Sequence, residues 1–136
     1  MTVRVQCCAV WLFALLAAAT PARAAAPALQ VTLQGKHHLA RDAHAAIEVI
    51  VQLPDTSAEL PLLLTPKIEG AAVELVRGRL LRSDAKRTEQ GHLRFELPVV
   101  ARTRGTAILR VTVITYVCSE RCQQVQAATS AVLEVH

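Results

Sequence analysis

Apolar and polar residues alternate with a period of two over much of this chain. Residues 29–34, 46–53 and 92–100 are the clearest examples, with the sequences LQVTLQ, AIEVIVQL and HLRFELPVV. A period of two places neighbouring side chains on opposite faces of a β-strand, so one face contacts a core and the other contacts water. No stretch has the 3.6-residue period of an amphipathic helix. The pattern therefore predicts an all-β protein.

The longest strand candidate is residues 106–118, TAILRVTVITYVC, which is rich in Val, Ile and Thr. Such β-branched residues lose side-chain freedom in a helix and pack well on a pleated sheet. The alternation in residues 124–135 predicts a further strand, and the polar composition of residues 82–91 predicts a loop. Short strands at regular spacing, with turn residues between them, are typical of an antiparallel immunoglobulin-like β-sandwich. We expect about seven to eight strands.

Two segments fit a regular strand less well. Residues 60–70 contain Pro61 and Pro66, which cannot donate to a strand ladder, so this segment is predicted to be an edge or irregular strand. Residues 71–81 are strand-like but contain Gly78 near the middle, where we expect a bulge or a bend.

The N-terminal residues have the pattern of a secretory signal. Residues 9–19, AVWLFALLAAA, form an apolar run that is too short to span a bilayer, which takes about 20 residues. Residues 22–24, Ala-Arg-Ala, have the small-x-small form of a signal-peptidase site. We expect a cleaved signal peptide at residues 1–24, a periplasmic location, and a single domain at residues 25–136. Cys7 and Cys8 precede the apolar run, so we expect no lipid anchor and no membrane anchor in the mature chain.

Composition argues against several classes of function. The net charge is only +4 and the basic residues are scattered, whereas a nucleic-acid surface needs a basic stripe, often interleaved with aromatic residues. The chain also lacks the G-x-S-x-G, H-E-x-x-H and glycine-rich phosphate motifs. We therefore expect neither nucleic-acid binding nor hydrolytic catalysis, and we expect no cofactor.

Two cysteines remain after signal cleavage, Cys118 and Cys122. One ends a strand candidate and the other opens the next, and an exported chain enters an oxidising compartment, so a disulfide is the expected state. A disulfide needs Cα atoms about 4.4–6.8 Å apart, whereas an extended stretch of this length spans about 13 Å. The bond therefore requires a turn at residues 119–121.

The spacing of the two cysteines leaves their role open. Closing a loop of about five residues stabilises a fold by roughly 2 kcal/mol in the loop-entropy model, so a plain structural disulfide remains possible beside a redox-active one. A third possibility is copper binding and delivery, because two thiolates with imidazole suit Cu(I). The ligands for that metal site would be Cys118, Cys122, His37 and His38.

Residues 105–126, GTAILRVTVITYVCSERCQQVQ, carry a resemblance to a known family. The strand with Tyr116, Cys118, a short loop and Cys122 resembles the N-terminal periplasmic domain of the DsbD thiol–disulfide interchange family. The resemblance implies a catalytic pair, Cys118 and Cys122, that passes electrons between a membrane partner and periplasmic thiol proteins. It also implies that a separate periplasmic or membrane redox protein is the partner of this chain.

Three neighbours are candidates to support such a pair: Tyr116, Glu120 and Arg121. By charge alone, Arg121 favours a nearby thiolate and Glu120 opposes it. The competing hypothesis is a non-catalytic interaction module with a structural disulfide, which accepts a partner by strand addition at an exposed edge. The proline-containing residues 60–67 are the predicted edge.

Overall fold

The computed structural model describes residues 29–54, 60–118 and 120–136, which form two β-sheets packed face to face. The all-β prediction is confirmed. The only helical element in these ranges is a 3₁₀ turn at Arg82–Asp84, and none of the described residues belong to a helix long and apolar enough to cross a bilayer. The predicted signal peptide at residues 1–24 lies outside the described residues.

The described residues contain ten strands, which make up the two sheets. In chain order they are β1 (Gln30–Gln34), β2 (His38–Leu39), β3 (His44–Gln52), β4 (Leu63–Glu69), β5 (Val73–Leu75), β6 (Leu80–Leu81), β7 (Lys86–Arg87), β8 (Leu93–Ala101), β9 (Gly105–Cys118) and β10 (Cys122–Val135). The first sheet has the order β1-β3-β8-β5, with β7 also paired to β8, and the second has the order β2-β10-β9-β4-β6. The count exceeds the predicted seven to eight because β2, β6 and β7 have only two residues each.

The pairing is antiparallel, as predicted, except that β2 runs parallel to the end of β10. The core lies between the sheets and is built from alternate residues of the long strands, which are fully or almost fully buried. They include Ile47, Val49 and Val51 of β3, Phe95, Leu97 and Val99 of β8, and Leu109, Val111 and Val113 of β9. Burial of a side chain of this size contributes about 1.5–3 kcal/mol, so the period-two pattern supplies the main driving force for the fold.

The prediction of one strand over residues 71–81 is wrong. Val73–Leu75 pairs with β8 in the first sheet, whereas Leu80–Leu81 pairs with β4 in the second. The chain crosses between the sheets at residues 76–79, and the bend expected at Gly78 lies in this exposed connection. Arg77 and Arg79 flank that glycine and are exposed, so the segment has no apolar face that could hold it in either sheet.

An ion pair fixes this crossing. The Arg77 guanidinium donates to both carboxylate oxygens of Asp84, at 3.1 and 3.3 Å, and the Leu81 backbone N–H donates to Asp84 Oδ2 at 2.8 Å. One carboxylate therefore joins the crossing segment to the 3₁₀ turn that follows β6. The same contacts, first the Leu81 N–H and then Arg77, lower the pKa of Asp84 below its usual value.

The proline-containing segment lies at an edge, as predicted. β4 pairs with β9 along its whole length but with β6 only at Leu63 and Leu64. From Thr65 to Glu69, no second strand pairs with β4 within the described ranges. Pro66 lies in that singly paired part, where the sheet tolerates a missing N–H group.

We expect Phe95→Ala to lower the free energy of unfolding by about 3–5 kcal/mol, because it removes a large side chain that is 0% exposed at the centre of the core. Val132→Ala is the control, since Val132 is 52% exposed and its truncation should cost less than about 0.5 kcal/mol. Urea unfolding followed by circular dichroism measures both. Equal losses in the two variants would contradict the packing described above.

We expect stability to fall on acidification, in part through Asp84. Because the folded pKa of Asp84 lies below its unfolded value of 3.8, its contribution is present above that value and is lost as pH falls through the folded pKa. Asp84→Asn should therefore lose less stability between pH 6 and pH 3 than the wild type does. Arg77→Gln should show an intermediate loss, because the Leu81 N–H bond remains. Urea midpoints at the two pH values measure this, and equal losses in all three proteins would refute the assignment.

Candidate functional site

The candidate site lies at the end of one long β-hairpin. β9 and β10 each have 14 residues and pair without interruption from Gly105 opposite Val135 to Cys118 opposite Cys122. The inward residues of β9 bury themselves in the core, so they hold the register of the whole hairpin. That register places the two cysteines directly opposite each other at the last pair.

The predicted disulfide is present. Cys118 and Cys122 are bonded, and their Cα atoms are 4.0 Å apart, slightly closer than the usual range of about 4.4–6.8 Å. Residues directly opposite in an antiparallel pair are close neighbours, so the ladder itself brings the two sulfur atoms within reach. Of the predicted turn at residues 119–121, Glu120 and Arg121 form an exposed bend, and Ser119 lies outside the described residues.

The disulfide lies beyond the hydrophobic core. Alternate residues of β9 are buried as far as Thr115, which is 2% exposed and donates its hydroxyl hydrogen to the Pro61 carbonyl at 2.9 Å. Among the described residues between Thr115 and Gln124 none is buried: Tyr116 is 41% exposed, Cys118 is half-buried and Cys122 is exposed. We call residues 116–118 and 120–124 the hairpin tip.

Two polar side chains flank the sulfurs on one face of the hairpin tip. Because side chains alternate along a strand, Tyr116 and Cys118 share the face of β9 opposite to the one that carries Thr115. Gln124 pairs with Tyr116, and it shares a face of β10 with Cys122. The disulfide therefore has the Tyr116–Gln124 pair on one side and the bend with Glu120 and Arg121 on the other.

The structure does not bring together the ligands of the alternative copper site. His38 lies on β2 and pairs with Glu134, at the opposite end of β10 from Cys122. Twelve residues of strand separate those ends, which corresponds to about 40 Å at 3.3 Å per residue. His37 precedes His38 and is half-buried, with its Nε2 atom unpaired among the described residues. Neither histidine can join a metal bound by Cys118 and Cys122 in this fold.

A polar cluster that the sequence pattern does not predict lies at that opposite end of β10. His38 Nδ1 lies 2.9 Å from Glu134 Oε2 and 3.4 Å from His136 Nε2. The Glu-x-His sequence at residues 134–136 places two of these side chains on one face of a strand, and this is a signal that the sequence does contain. The parallel pairing with His38, far away in the chain, exists only in the tertiary structure.

A wide surface cleft of about 650 Å³ lies elsewhere, on the outer face of the first sheet. Two acidic and two basic residues line it, Glu48, Glu89, Arg87 and Arg94, so it has no charge preference that would select a ligand. Its lining contains no cysteine and no residue of the hairpin tip. The chemistry available to thiols is therefore confined to the hairpin tip within the described residues.

Comparison with known proteins informs the fold and leaves the function open. No protein-family model and no curated protein matches the chain. A fragment of native alpha-2-macroglobulin from Escherichia coli, from domain MG7 to the C-terminus, is similar with a TM-score of 0.52 and 12% identity, over 82% of this chain and 17% of that one. A cohesin module from a Clostridium perfringens family 33 glycoside hydrolase has a TM-score of 0.42 and 8% identity, over 80% and 97%.

The chain thus spans about a sixth of the alpha-2-macroglobulin fragment, and that likeness shows the fold alone. The prediction of an immunoglobulin-like β-sandwich is confirmed. Neither structure has a sequence close enough to carry a site or an activity over to this chain.

We expect the double variant Cys118→Ser, Cys122→Ser to stay folded and to lose about 2 kcal/mol of unfolding free energy, because the bond closes a five-residue loop outside the core. Reduced wild-type protein is the matched comparison, and it should lose a similar amount. Urea unfolding of the oxidised, reduced and double-serine proteins measures the difference. Loss of cooperative unfolding in the double variant would show that the core depends on the disulfide.

Proposed function

We propose that this chain is an exported domain whose Cys118–Cys122 pair exchanges with the thiols of another exported protein. The observation that carries the proposal is the position of the pair, at the exposed end of a hairpin and outside the core. Thiol–disulfide exchange requires that an attacking thiolate reach a sulfur atom along the S–S axis, and the hairpin tip leaves room for such an approach.

The energetics of this disulfide fit a role in exchange better than a role in stabilising the fold. The ladder between β9 and β10 already holds the two strands together over their full length. A bond at the last pair adds only roughly 2 kcal/mol, whereas a bond that closes a loop of about 100 residues adds about 4.7 kcal/mol in the same model. Breaking and re-forming a bond at the hairpin tip therefore leaves the fold intact.

The exposure of the two sulfurs favours one order of events. A thiolate of a reduced partner attacks Sγ of exposed Cys122, the S–S bond breaks, and Cys118 leaves as a thiolate. A second partner thiolate then attacks the partner's own sulfur in the mixed disulfide, and Cys122 leaves as a thiolate in turn. The partner dithiol is oxidised to a disulfide, and the Cys118–Cys122 pair gains two electrons and two protons. The reverse sequence delivers electrons from the reduced pair.

The neighbours of the pair suit this role. Arg121 is exposed in the bend and its positive charge stabilises a thiolate nearby, while Glu120 weakens that effect. Tyr116 presents its ring on the same face as Cys118, where it can contact the partner protein. Aromatic side chains of this kind are enriched where proteins meet.

The resemblance of residues 105–126 to the DsbD periplasmic domain supports the same proposal. Tyr116, Cys118 and Cys122 carry most of that resemblance, and it implies that the two cysteines are the redox pair. The proposal also needs the predicted export, because a cytosolic chain would keep its thiols reduced. Under this proposal the partner is a separate periplasmic or membrane redox protein, and the domain is located in the periplasm.

One observation favours the alternative, an interaction module with a structural disulfide. Apart from β9, only β2 pairs with β10 in the described part of the chain, and it covers Glu134 and Val135 alone. Residues 123–133 contain no charged residue and no proline, the features with which proteins usually protect an edge strand. That edge suits strand addition better than residues 60–67, where Pro66 and Lys67 oppose it.

Redox equilibration separates the two proposals. We expect the pair in residues 25–136 to have a potential between about −120 and −270 mV in glutathione buffers, with free thiols counted by alkylation and mass spectrometry. A potential below about −300 mV would fit a structural bond and would exclude the exchange proposal.

We also expect Cys118→Ser to form a mixed disulfide with oxidised glutathione faster than Cys122→Ser does, because Cys122 is the more exposed sulfur. The matched pair differs only in which thiol remains. Faster reaction of Cys122→Ser would reverse the proposed order of attack without changing the potential. Intact-mass measurement over time gives both rates.

A further inference from the structure

The polar cluster at the far end of β10 brings together three side chains that can each ligate a metal ion. His38, Glu134 and His136 each offer one ligand atom, and these atoms all lie within 4.8 Å of one another. His38 Nδ1 is 2.9 Å from the Glu134 carboxylate and 3.4 Å from His136 Nε2, and the two imidazole rings stack with centroids 5.6 Å apart. We call these three residues the His-Glu-His cluster.

The backbone positions the three side chains before any ion arrives. Glu134 and His136 are two residues apart, so they project from the same face of the chain. The parallel β2 lies beside them, with the Glu134 N–H donating to the His37 carbonyl at 2.8 Å and the His136 N–H donating to the Leu39 carbonyl at 3.0 Å. These two bonds flank His38 and fix it opposite Glu134. The cluster therefore belongs to the sheet ladder and does not depend on a loop.

The distances fit a shared ion. Zinc binds imidazole nitrogen at about 2.0–2.1 Å and carboxylate oxygen at about 2.0–2.2 Å, so tetrahedral ligand atoms lie about 3.4 Å apart. The His38–His136 separation of 3.4 Å matches that value, the His38–Glu134 hydrogen-bonded separation of 2.9 Å is shorter, and the third pair lies within 4.8 Å, so small side-chain rotations would place all three atoms around one ion. Two imidazoles with one carboxylate suit Zn²⁺, Cu²⁺ or Ni²⁺, whereas Mg²⁺ and Ca²⁺ prefer oxygen ligands alone.

We propose that the His-Glu-His cluster binds one divalent transition-metal ion of the Zn²⁺ class. Three protein ligands leave a coordination position open to water or to a ligand from outside. The ion joins β2 to the end of β10, at the opposite end of the hairpin from the disulfide. The site therefore works independently of the redox state of Cys118 and Cys122, and it shares only His38 with the copper site considered from the sequence.

The direct test is a titration of the oxidised protein, without a polyhistidine tag, with Zn²⁺ in a calorimeter. We expect one Zn²⁺ per chain, and we expect His38→Ala, Glu134→Gln and His136→Ala each to weaken binding at least tenfold. His44→Ala is the matched control, because it removes another exposed histidine at the start of a strand. It should bind Zn²⁺ as the wild type does, and Mg²⁺ should not bind to any of the proteins.

A measurement on the unmodified protein removes any dependence on how the variants fold. Addition of Zn²⁺ should shift the imidazole NMR signals of His38 and His136 and leave those of His44 and His92 in place. Zn²⁺ should also raise the melting temperature of the wild type and of His44→Ala, but not of His38→Ala. The proposal would be overturned if Zn²⁺ binding did not saturate. It would also be overturned if His44→Ala and His38→Ala lost Zn²⁺ affinity equally, or if a dimer bound only half a Zn²⁺ per chain.

Discussion

The pairing of β9 with β10 is the constraint on which the rest of this structure depends. A shift of one residue would turn every side chain to the other face, so the buried Leu109, Val111 and Val113 exclude such a shift. That register determines which residues lie opposite each other at both ends of the hairpin. At one end it sets Cys118 opposite Cys122, and at the other it carries Glu134 to the strand that holds His38.

The two ends of the hairpin differ in how firmly the core holds them. Leu133 and Val135 are buried, so the end with Glu134 is part of the packed sandwich. At the other end burial stops at Thr115, whose hydrogen bond to the Pro61 carbonyl is the last anchor before the tip. The exchange proposal needs a disulfide that can form and break while the fold stays intact, and the hairpin tip meets that need. The metal proposal needs ligands in fixed positions, and the packed end with Glu134 meets that one.

The exchange proposal and the interaction proposal both depend on strand β10. The uncharged edge of β10 lies next to the disulfide, so a partner strand that added to this edge would also lie close to Cys122. Exchange between proteins requires that the partner stay bound long enough for two successive attacks on sulfur. Strand addition and exchange are then two aspects of one encounter if the disulfide is redox-active, and strand addition alone remains if it is structural.

The sequence by itself determined the β class, the course of β3, β8, β9 and β10, and the disulfide, because these follow from local alternation and from the short spacing of Cys118 and Cys122. It did not reveal that residues 71–81 divide between two sheets, since such a crossing depends on which strand each short segment pairs with. Nor did it indicate that His38 and His136 lie close together. Their proximity comes from a parallel pairing of only two residues, which leaves no periodic pattern and exists only once the sandwich has closed.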